Sequence, residues 1–395
     1  MAYQNLLILA SFILLYSLFA KKIEGSAISG PFLALALGLI FGPLVLNLFV
    51  ATVETEEYRI IAELALALVL FTDASKANIK VLESNSSLPI RLLLIGLPLT
   101  IVFGALGGFL LFKGFSWIEL GILATMLAPT DAALGKAVVS NPSVSTKIRE
   151  SLNVESGLND GICVPVLFLL IAVFVSQSGE DLSSFYGLSL LGKEIGIGIL
   201  AGCFISFFGF RLIQYSSKRQ WLSESWNTMI IVALAFSCFA LAQISGGSGF
   251  IACFAGGFLY GILRRKSDLK VELIESAEGT GDTFGLITWL LFGSLVIAAF
   301  IHELSWQVVA YALLSLTVIR MLPVALSLIK SGVSGKEKLF MGWFGPRGLA
   351  SIVFAIMVLE VDLPHESTII LTVACTILLS VVLHGFTAKP FIKRL

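Results

Sequence analysis

The chain has 395 residues, of which 57% are hydrophobic and 13% are charged, and its 26 Lys and Arg residues balance its 26 Asp and Glu residues. This composition excludes an ordinary soluble protein, because the apolar runs repeatedly exceed the roughly 18 residues that mark a bilayer-spanning helix. It also excludes a β-barrel, whose strands of about 10 residues alternate in polarity. We therefore predict an all-α polytopic membrane protein in a lipid bilayer, with no nucleic-acid partner.

Thirteen candidate membrane spans follow one another along the chain. They cover about 5–20, 30–50, 58–76, 88–112, 117–139, 151–175, 187–212, 224–243, 247–263, 281–301, 305–329, 337–359 and 367–388. The connections between them are too short to bury a core, so we expect one membrane domain over 1–395 and no soluble domain. No nucleotide-binding loop or haem motif is visible, which favours a transporter or channel without a cofactor, not an enzyme.

Basic residues are distributed unevenly over the predicted loops. Of the 26 Lys and Arg residues, 21 fall in loops that follow odd-numbered spans, and Arg59, Lys113 and Lys193 fall on the opposite side. The positive-inside rule therefore predicts a cell-membrane protein with its N-terminus outside and its C-terminus in the cytoplasm. The remaining two basic residues, Arg320 and Arg347, lie inside spans 11 and 12.

Two spans contain interruptions that a simple packing helix does not need. Span 5 contains Ala-Pro-Thr-Asp at 128–131, and span 12 contains Gly-Pro-Arg-Gly at 345–348. Proline removes a backbone donor and clashes with the preceding turn, so both helices are predicted to break there. The breaks lie seven spans apart, an odd offset, which predicts broken, crossing helices of an inverted-topology repeat. Ordinary proline kinks are the alternative interpretation.

Two carboxylates are predicted to lie near the middle of the bilayer. Asp131 and Asp160 each fall about ten residues into their spans, which is roughly 15 Å at about 1.5 Å per residue and half of a hydrocarbon core of about 30 Å. A charge at that depth costs at least about 2.5–3.5 kcal/mol on insertion scales. Both carboxylates are therefore candidates for a functional site.

The spacing in span 6 separates two roles. Ser156 and Asp160 lie four residues apart and share a helix face, with Asn159 beside that face, so their oxygen atoms would suit a hard cation. Glu155 lies about 140° around the helix from Asp160 and is better placed to contact another helix. We expect it to pair with Arg320, with Arg347 near the second break.

The segments at 128–131, 155–160 ("ESGLND") and 345–348 resemble the motifs of a known family. The family is the electroneutral branch of the cation/proton antiporters, which includes NhaP-type bacterial sodium/proton antiporters and animal sodium/proton exchangers. "LFTDA" at 70–74 is similar to the segment where NhaP-type members have a further carboxylate, and "VIRMLPV" places an arginine, Arg320, as the family does. The resemblance covers nearly the whole chain.

The resemblance implies roles for these residues. Asp160 would be the essential carboxylate that binds either a cation or protons, Asn159 would hold the geometry, and Glu155 with Arg320 would form a buried ion pair. Asp73 would be a further carboxylate of the site, although it could merely cap a helix. The implied Na⁺ ligands are Asp160, Asp131, Ser156 and Thr130.

The resemblance also implies a function. The chain would exchange a monovalent cation, Na⁺ before Li⁺ or K⁺, for a proton, one for one and electroneutrally, by alternating access. A core bundle at about 88–175 and 305–390 would move against scaffold and dimer helices at about 1–76 and 224–301, with a linker helix at 187–212, in a homodimer. A cation channel and a transporter of another small solute are the alternatives.

The histidines are not assigned to the site. His302, His365 and His384 lie near predicted helix ends, where solvated surface histidines are usual. We therefore expect them to be exposed, with pH sensing as the alternative role.

Overall fold

The structure of the chain is a computed structural model that describes residues 2–24, 29–49, 56–76, 87–131, 134–135, 141, 143–178, 184–265 and 272–392. Every regular element in these ranges is helical, and no strand occurs among them. The prediction of an all-α chain is confirmed for this part of the protein. Six basic residues used for the topology prediction lie outside the described residues: Lys80, Lys136, Lys266, Lys270, Lys393 and Arg394.

The α-helices of the described residues are numbered here in chain order. They are α1 (Ala2–Glu24), α2 (Gly30–Phe41), α3 (Glu56–Lys76), α4 (Ser87–Arg91), α5 (Leu97–Leu111), α6 (Trp117–Met126), α7 (Thr146–Ser178), α8 (Ser184–Lys218), α9 (Asn227–Ile244), α10 (Gly249–Arg265), α11 (Glu272–Leu291), α12 (Ile297–Phe300), α13 (Trp306–Leu316), α14 (Val318–Ser327), α15 (Gly335–Trp343), α16 (Leu349–Val358) and α17 (Glu366–Ile392). Turns of π-helix at Leu92–Gly96 and Phe292–Val296 join α4 to α5 and α11 to α12.

Seven segments of the described chain are long and apolar enough to cross a membrane, judged by length and composition. They are Tyr3–Ile23, Leu88–Leu111, Thr146–Gln177, Gly192–Lys218, Glu224–Ile244, Trp306–Ser327 and Glu366–Ala388. Three shorter helices, α2, α6 and α16, are also apolar. The last two of these end or begin at the interruptions predicted from the sequence.

Two predicted spans differ from the helices observed. The helix predicted for 30–50 ends at Phe41, because Gly42 caps it by donating its N–H to the Gly38 carbonyl and Pro43, which follows, has no N–H to continue the ladder. In span 5, the helix ends at Met126. Residues 132, 133 and 136–140 of that predicted span lie outside the described residues.

A proline also explains the first π-helical turn. Pro98 lies in the first turn of α5 and has no N–H to donate to the carbonyl of Leu94. The ladder widens over Leu92–Gly96 just before it, as is typical where a hydrogen bond of the helix is missing. The helix continues on both sides, so α4 and α5 form one apolar segment.

The chain contains two compact units. The first contains the described residues within 1–62, 79–159 and 285–395. In it α5 packs on α6, α13 on α17, and α14 on α15. This unit contains a buried apolar cluster that includes Leu88, Ile148 and Phe340. The candidate site residues from 128 to 159 and from 320 to 348 all belong to this unit.

The second unit contains the described residues within 63–78 and 160–284. Helices α8, α9 and α10 pack against one another in it. Tyr260 of α10 is fully buried between the rings of Phe71 and Phe210, whose centroids lie 6.0 and 5.9 Å from its own. An ion pair joins Lys76 at the end of α3 to Glu278 of α11. The predicted division into core, scaffold and linker helices stays a prediction.

Candidate ion-binding site

The first interruption follows α6. This helix begins with a capping box, in which Ser116 and Glu119 each accept a hydrogen bond from the other's backbone N–H. It ends at Met126, and residues 127–131 are not helical. Pro129 supplies no N–H at this point, so the chain leaves the helix with carbonyl groups that need other donors.

The second interruption separates α15 from α16. Residues 344–348 between them are not helical, and they contain Pro346 with a glycine on either side of the Pro-Arg pair. Phe344 donates the last helical hydrogen bond, to the Phe340 carbonyl at 2.9 Å. All of the described non-helical residues at both interruptions belong to the first unit.

Asp131 links the first interruption to the second. Its backbone N–H donates to the Pro346 carbonyl at 2.8 Å, and its Oδ2 accepts the N–H of Leu349 at 3.0 Å. Its Oδ1 accepts the N–H of Leu134 at 3.1 Å. The carboxylate therefore caps the N-terminus of α16, where the exposed N–H groups and the helix dipole favour an anion.

Arg347 makes the reciprocal link with the opposite charge. Its guanidinium is fully buried, and Nη1 donates to the carbonyls of Ala128 at 2.6 Å and Pro129 at 3.1 Å. Nη2 donates to the Ser315 carbonyl at 3.4 Å. The guanidinium of Arg347 therefore supplies hydrogen-bond donors to the carbonyls that follow α6. Its positive charge lies near the C-terminal end of that helix, where the helix dipole favours a cation.

Gly348 is required by the close approach of Asp131. A Cβ atom at residue 348 would lie 1.8 Å from Asp131 Oδ2, whereas a Cβ at Gly285 would lie 3.8 Å from its nearest neighbour, Leu349 Cδ2. We expect Gly348→Ala to displace the carboxylate from the N–H of Leu349 and to destabilise the protein by about 1–3 kcal/mol, as overpacked cores do. Thermal unfolding in detergent measures this loss.

Gly285→Ala is the matched control, because its added methyl group makes an ordinary contact. It replaces a helical glycine of α11, so we expect it to be neutral or slightly stabilising. Equal losses in the two variants would show that the approach of Asp131 does not fix the identity of residue 348.

Three polar side chains connect the first interruption to α7. Thr130 Oγ1 lies 2.8 Å from Ser156 Oγ and accepts the Asn159 side-chain N–H at 2.8 Å. All three residues are buried, with Asn159 at 0% exposure. The amide of Asn159 therefore has its orientation fixed by Thr130, and the amide and the two hydroxyl groups form one buried polar group.

Glu155 and Arg320 form a buried ion pair. Arg320 Nη1 lies 2.6 Å from Glu155 Oε1, and the side chains are 1% and 2% exposed. Within the part of the chain that the structure describes, neither charged group has a further hydrogen-bond partner. A Cβ atom at Gly345 would lie 2.6 Å from Arg320 Nε, so the second interruption passes directly against this pair.

The other two predicted carboxylates belong to the second unit. Asp160 follows Asn159 in α7, one turn after Ser156, and is 8% exposed. Asp73 lies three residues before the end of α3 and is half-buried. Its neighbours Thr72 and Ser75 donate their hydroxyls to carbonyls of their own helix.

Helix α17 has a buried polar face that was not predicted from the sequence. The expectation that His384 is exposed is wrong, because α17 continues to Ile392 and His384 is 3% exposed in its interior. Ser380, one turn earlier, is fully buried and accepts the backbone N–H of Arg347 at 2.8 Å. The signal was in the sequence: Thr372, Thr376, Ser380 and His384 recur every four residues and so share one face.

Comparison with known proteins decides the family. A family model described as "Sodium/hydrogen exchanger, transmembrane" matches residues 7–394. The chain belongs to this sodium/hydrogen exchanger family. It is therefore a multi-pass membrane protein and a member of a transporter family, and the resemblance noted from the sequence motifs is confirmed.

Two relatives are named as antiporters. The chain is 26% identical over 287 residues to "K(+)/H(+) antiporter NhaP" of Alkalimonas amylolytica, and the alignment covers 71% of this chain and 48% of that protein. It is 27% identical over 281 residues to "Na(+)/H(+) antiporter NhaH" of Halobacillus dabanensis, covering 69% and 67%. The chain thus spans about half to two thirds of the length of these two relatives.

A solved structure has the same fold. The sodium proton antiporter MjNhaP1 from Methanocaldococcus jannaschii, determined at pH 8, aligns with a TM-score of 0.80 at 22% identity, and the alignment covers 98% of this chain and 100% of that one. At 22% identity this match supports the fold of the chain. The roles of individual residues rest on their contacts and burial in this structure.

Proposed function

We propose that this chain is an antiporter that exchanges a monovalent cation for a proton across the membrane. The observation that carries the proposal is the buried polar group of Thr130, Ser156 and Asn159, which directly precedes the buried carboxylate of Asp160 in α7. Oxygen atoms of hydroxyl and carboxylate groups suit a hard cation such as Na⁺. Relatives named as K⁺/H⁺ and Na⁺/H⁺ antiporters support both the reaction and the cation class.

In the proposed mechanism, Asp160 binds either the cation or a proton. Burial disfavours the ionised form of a carboxylate, so a bound proton and a bound cation each neutralise it and compete for it. Ser156 lies on the same helix face one turn earlier and contributes an oxygen ligand. Thr130 and Asp131 shape the site, Asp131 by capping α16.

Asn159 makes the proposed stoichiometry one for one. Its neutral amide occupies the position before Asp160, and its side chain donates to Thr130. A second carboxylate there would carry a second exchangeable charge, whereas the amide carries none. One cation then replaces one proton at one carboxylate, and the cycle moves no net charge.

The two interruptions support alternating access at this site. We infer that α6 with residues 127–131, and α15 with α16, belong to the broken helices of an inverted repeat, because Asp131 at the first interruption accepts the N–H of Leu349 and Arg347 at the second donates to the Ala128 carbonyl. The core bundle is proposed to move against the scaffold helices of a homodimer, in a cell membrane with the N-terminus outside. Asp73 is proposed as an accessory carboxylate of the cation path.

Voltage dependence tests the reaction and its stoichiometry together. The full chain is reconstituted in proteoliposomes, the membrane potential is clamped with potassium and valinomycin, and sodium-driven proton movement is followed with a pH dye. We expect proton flux in response to a sodium gradient, and we expect the sodium gradient that balances a fixed proton gradient to be the same at every potential.

The two stoichiometries differ strongly in how the balancing sodium gradient depends on the membrane potential. A potential of 100 mV is worth about 2.3 kcal/mol per elementary charge, so one uncompensated charge would shift the balance point almost fiftyfold. A shift of that size would reject one-for-one exchange. Sodium flux without coupled proton movement would reject antiport and favour a cation channel.

A further inference from the structure

Helix α17 contacts the second interruption from one side with a single face. Ser380, His384 and Thr387 lie one helical turn apart on that face. The Trp343 indole donates to Thr387 Oγ1 at 2.9 Å, His384 lies 2.8 Å from the Trp343 carbonyl, and Ser380 accepts the N–H of Arg347. Two of these contacts reach backbone atoms at the two ends of residues 343–347.

The contact of His384 with the Trp343 carbonyl requires a proton on Nε2. Nε2 lies 2.8 Å from the Trp343 carbonyl oxygen, which can only accept, so Nε2 is the donor. The same carbonyl is the last one of α15 and also accepts the N–H of Gly345 at 2.9 Å. The imidazole therefore holds the point at which α15 ends.

The other ring nitrogen faces Ser380. Nδ1 lies 3.1 Å from Ser380 Oγ and 2.8 Å from the Ser380 carbonyl. Because Oγ already accepts the N–H of Arg347, its hydroxyl hydrogen is available to Nδ1. The hydrogen bonds then run from the Arg347 N–H through Ser380 Oγ and the ring of His384 to the Trp343 carbonyl. With Nε2 as the donor, Nδ1 is an acceptor and makes no hydrogen bond to the Ser380 carbonyl beside it.

We propose that His384 is a positioning residue for ion exchange, which sets the geometry of the second interruption through the Trp343 carbonyl and, by way of Ser380, the backbone of Arg347. The inference rests on the proposed function. It extends to the first interruption, because the guanidinium of Arg347 binds the carbonyls of Ala128 and Pro129. Residues that touch no ion would thus control the position of backbone that shapes the ion site.

Three substitutions at residue 384 separate positioning from packing. The amide nitrogen of Gln reaches the place of Nε2 and restores the donor to Trp343, that of Asn stops near the place of Nδ1, and Leu fills space without a donor. We expect His384→Gln to keep an apparent KM for Na⁺ within about twofold of wild type, and His384→Asn and His384→Leu to raise it about tenfold or more, since small misplacements of a site have effects of this size.

Apparent KM and maximal rate are measured in proteoliposomes, with protein content and folded fraction determined for each variant. A purely structural role would lower the maximal rate through loss of folded protein and leave KM unchanged. Thr387→Val is the matched control on the same face, because it removes a contact to the Trp343 side chain and leaves the backbone contacts. We expect its KM to match wild type.

Amide hydrogen exchange over residues 344–349 is a second readout that does not need transport. Protection should fall in the Asn and Leu variants and persist in the Gln variant. Wild-type KM in the Leu variant, or a Gln variant as impaired as the Leu variant in both readouts, would overturn the positioning role. Absence of exchange in wild-type protein would instead reject the proposed function, whatever the amide exchange shows.

Discussion

Asp160→Asn is expected to reduce sodium-driven proton flux to the level of protein-free liposomes while the protein stays folded and inserted. The substitution keeps the size of the side chain and removes the charge that a cation or a proton neutralises in the proposed mechanism. Asp160 is 8% exposed, so its carboxylate has little access to water that could replace a lost ligand. Flux is measured with a pH dye in proteoliposomes, and folding by thermal unfolding.

Asp73→Asn is the matched variant, since it makes the same chemical change at the other predicted carboxylate of the second unit. A partial loss would support a place for Asp73 in the cation path, and unchanged flux would exclude Asp73 from it. Wild-type flux in the Asp160 variant would remove Asp160 from the mechanism, and Asp131 would become the next carboxylate to test.

The composition and apolar runs predicted the all-α membrane class, because a bilayer imposes length and polarity on every span. Proline and glycine placed the interruptions near 128–131 and 345–348, where the structure has residues 127–131 and 344–348 outside the helices. These effects are local: proline lacks a backbone N–H and glycine lacks a side chain, and each alters the helical turn in which it lies. They can be read from a short segment of sequence.

The contacts across the interruptions could not be read in this way. Asp131 accepts the N–H of Leu349, 218 residues along the chain, and Arg347 donates to Ala128, 219 residues back. The spacing of residues in the sequence does not show which distant carbonyl or N–H group a side chain will bind. A charged residue at an interruption therefore predicts that it has a hydrogen-bond or ionic partner, but not which residue the partner is. The burial of His384 was not predicted for a different reason. The predicted span ends at residue 388, whereas α17 continues to Ile392, so His384 lies inside the helix and not near its end.

Removing either Glu155 or Arg320 is expected to destabilise the protein by about 3–5 kcal/mol, because each removal leaves the other charge buried without its partner. The pair has side-chain exposures of 2% and 1% and a separation of 2.6 Å. We expect Glu155→Gln and Arg320→Ala each to lower the unfolding temperature more than Asp160→Asn does. Thermal and denaturant unfolding in one detergent measure the three variants.

The double variant decides whether the two residues act as a pair. When both charges are absent, neither is stranded, so the combined loss should be smaller than the sum of the single losses by about 0.5–3 kcal/mol. The ion pair of Arg59 and Glu360 is the matched control, since it joins the same residue types with side chains 40% and 50% exposed. Exposed pairs contribute about 0.2–1 kcal/mol, so that cycle should show little coupling.

Additive losses at Glu155 and Arg320 would show that their contact does not stabilise the fold, and Arg347 would become the next candidate partner for Glu155. The geometry argues against that outcome. Arg347 already donates to two carbonyl groups at the first interruption and to one in α13, whereas Arg320 Nη1 lies 2.6 Å from Glu155 Oε1. Because the second interruption passes directly against Arg320 at Gly345, loss of the pair should also impair exchange in protein that remains folded.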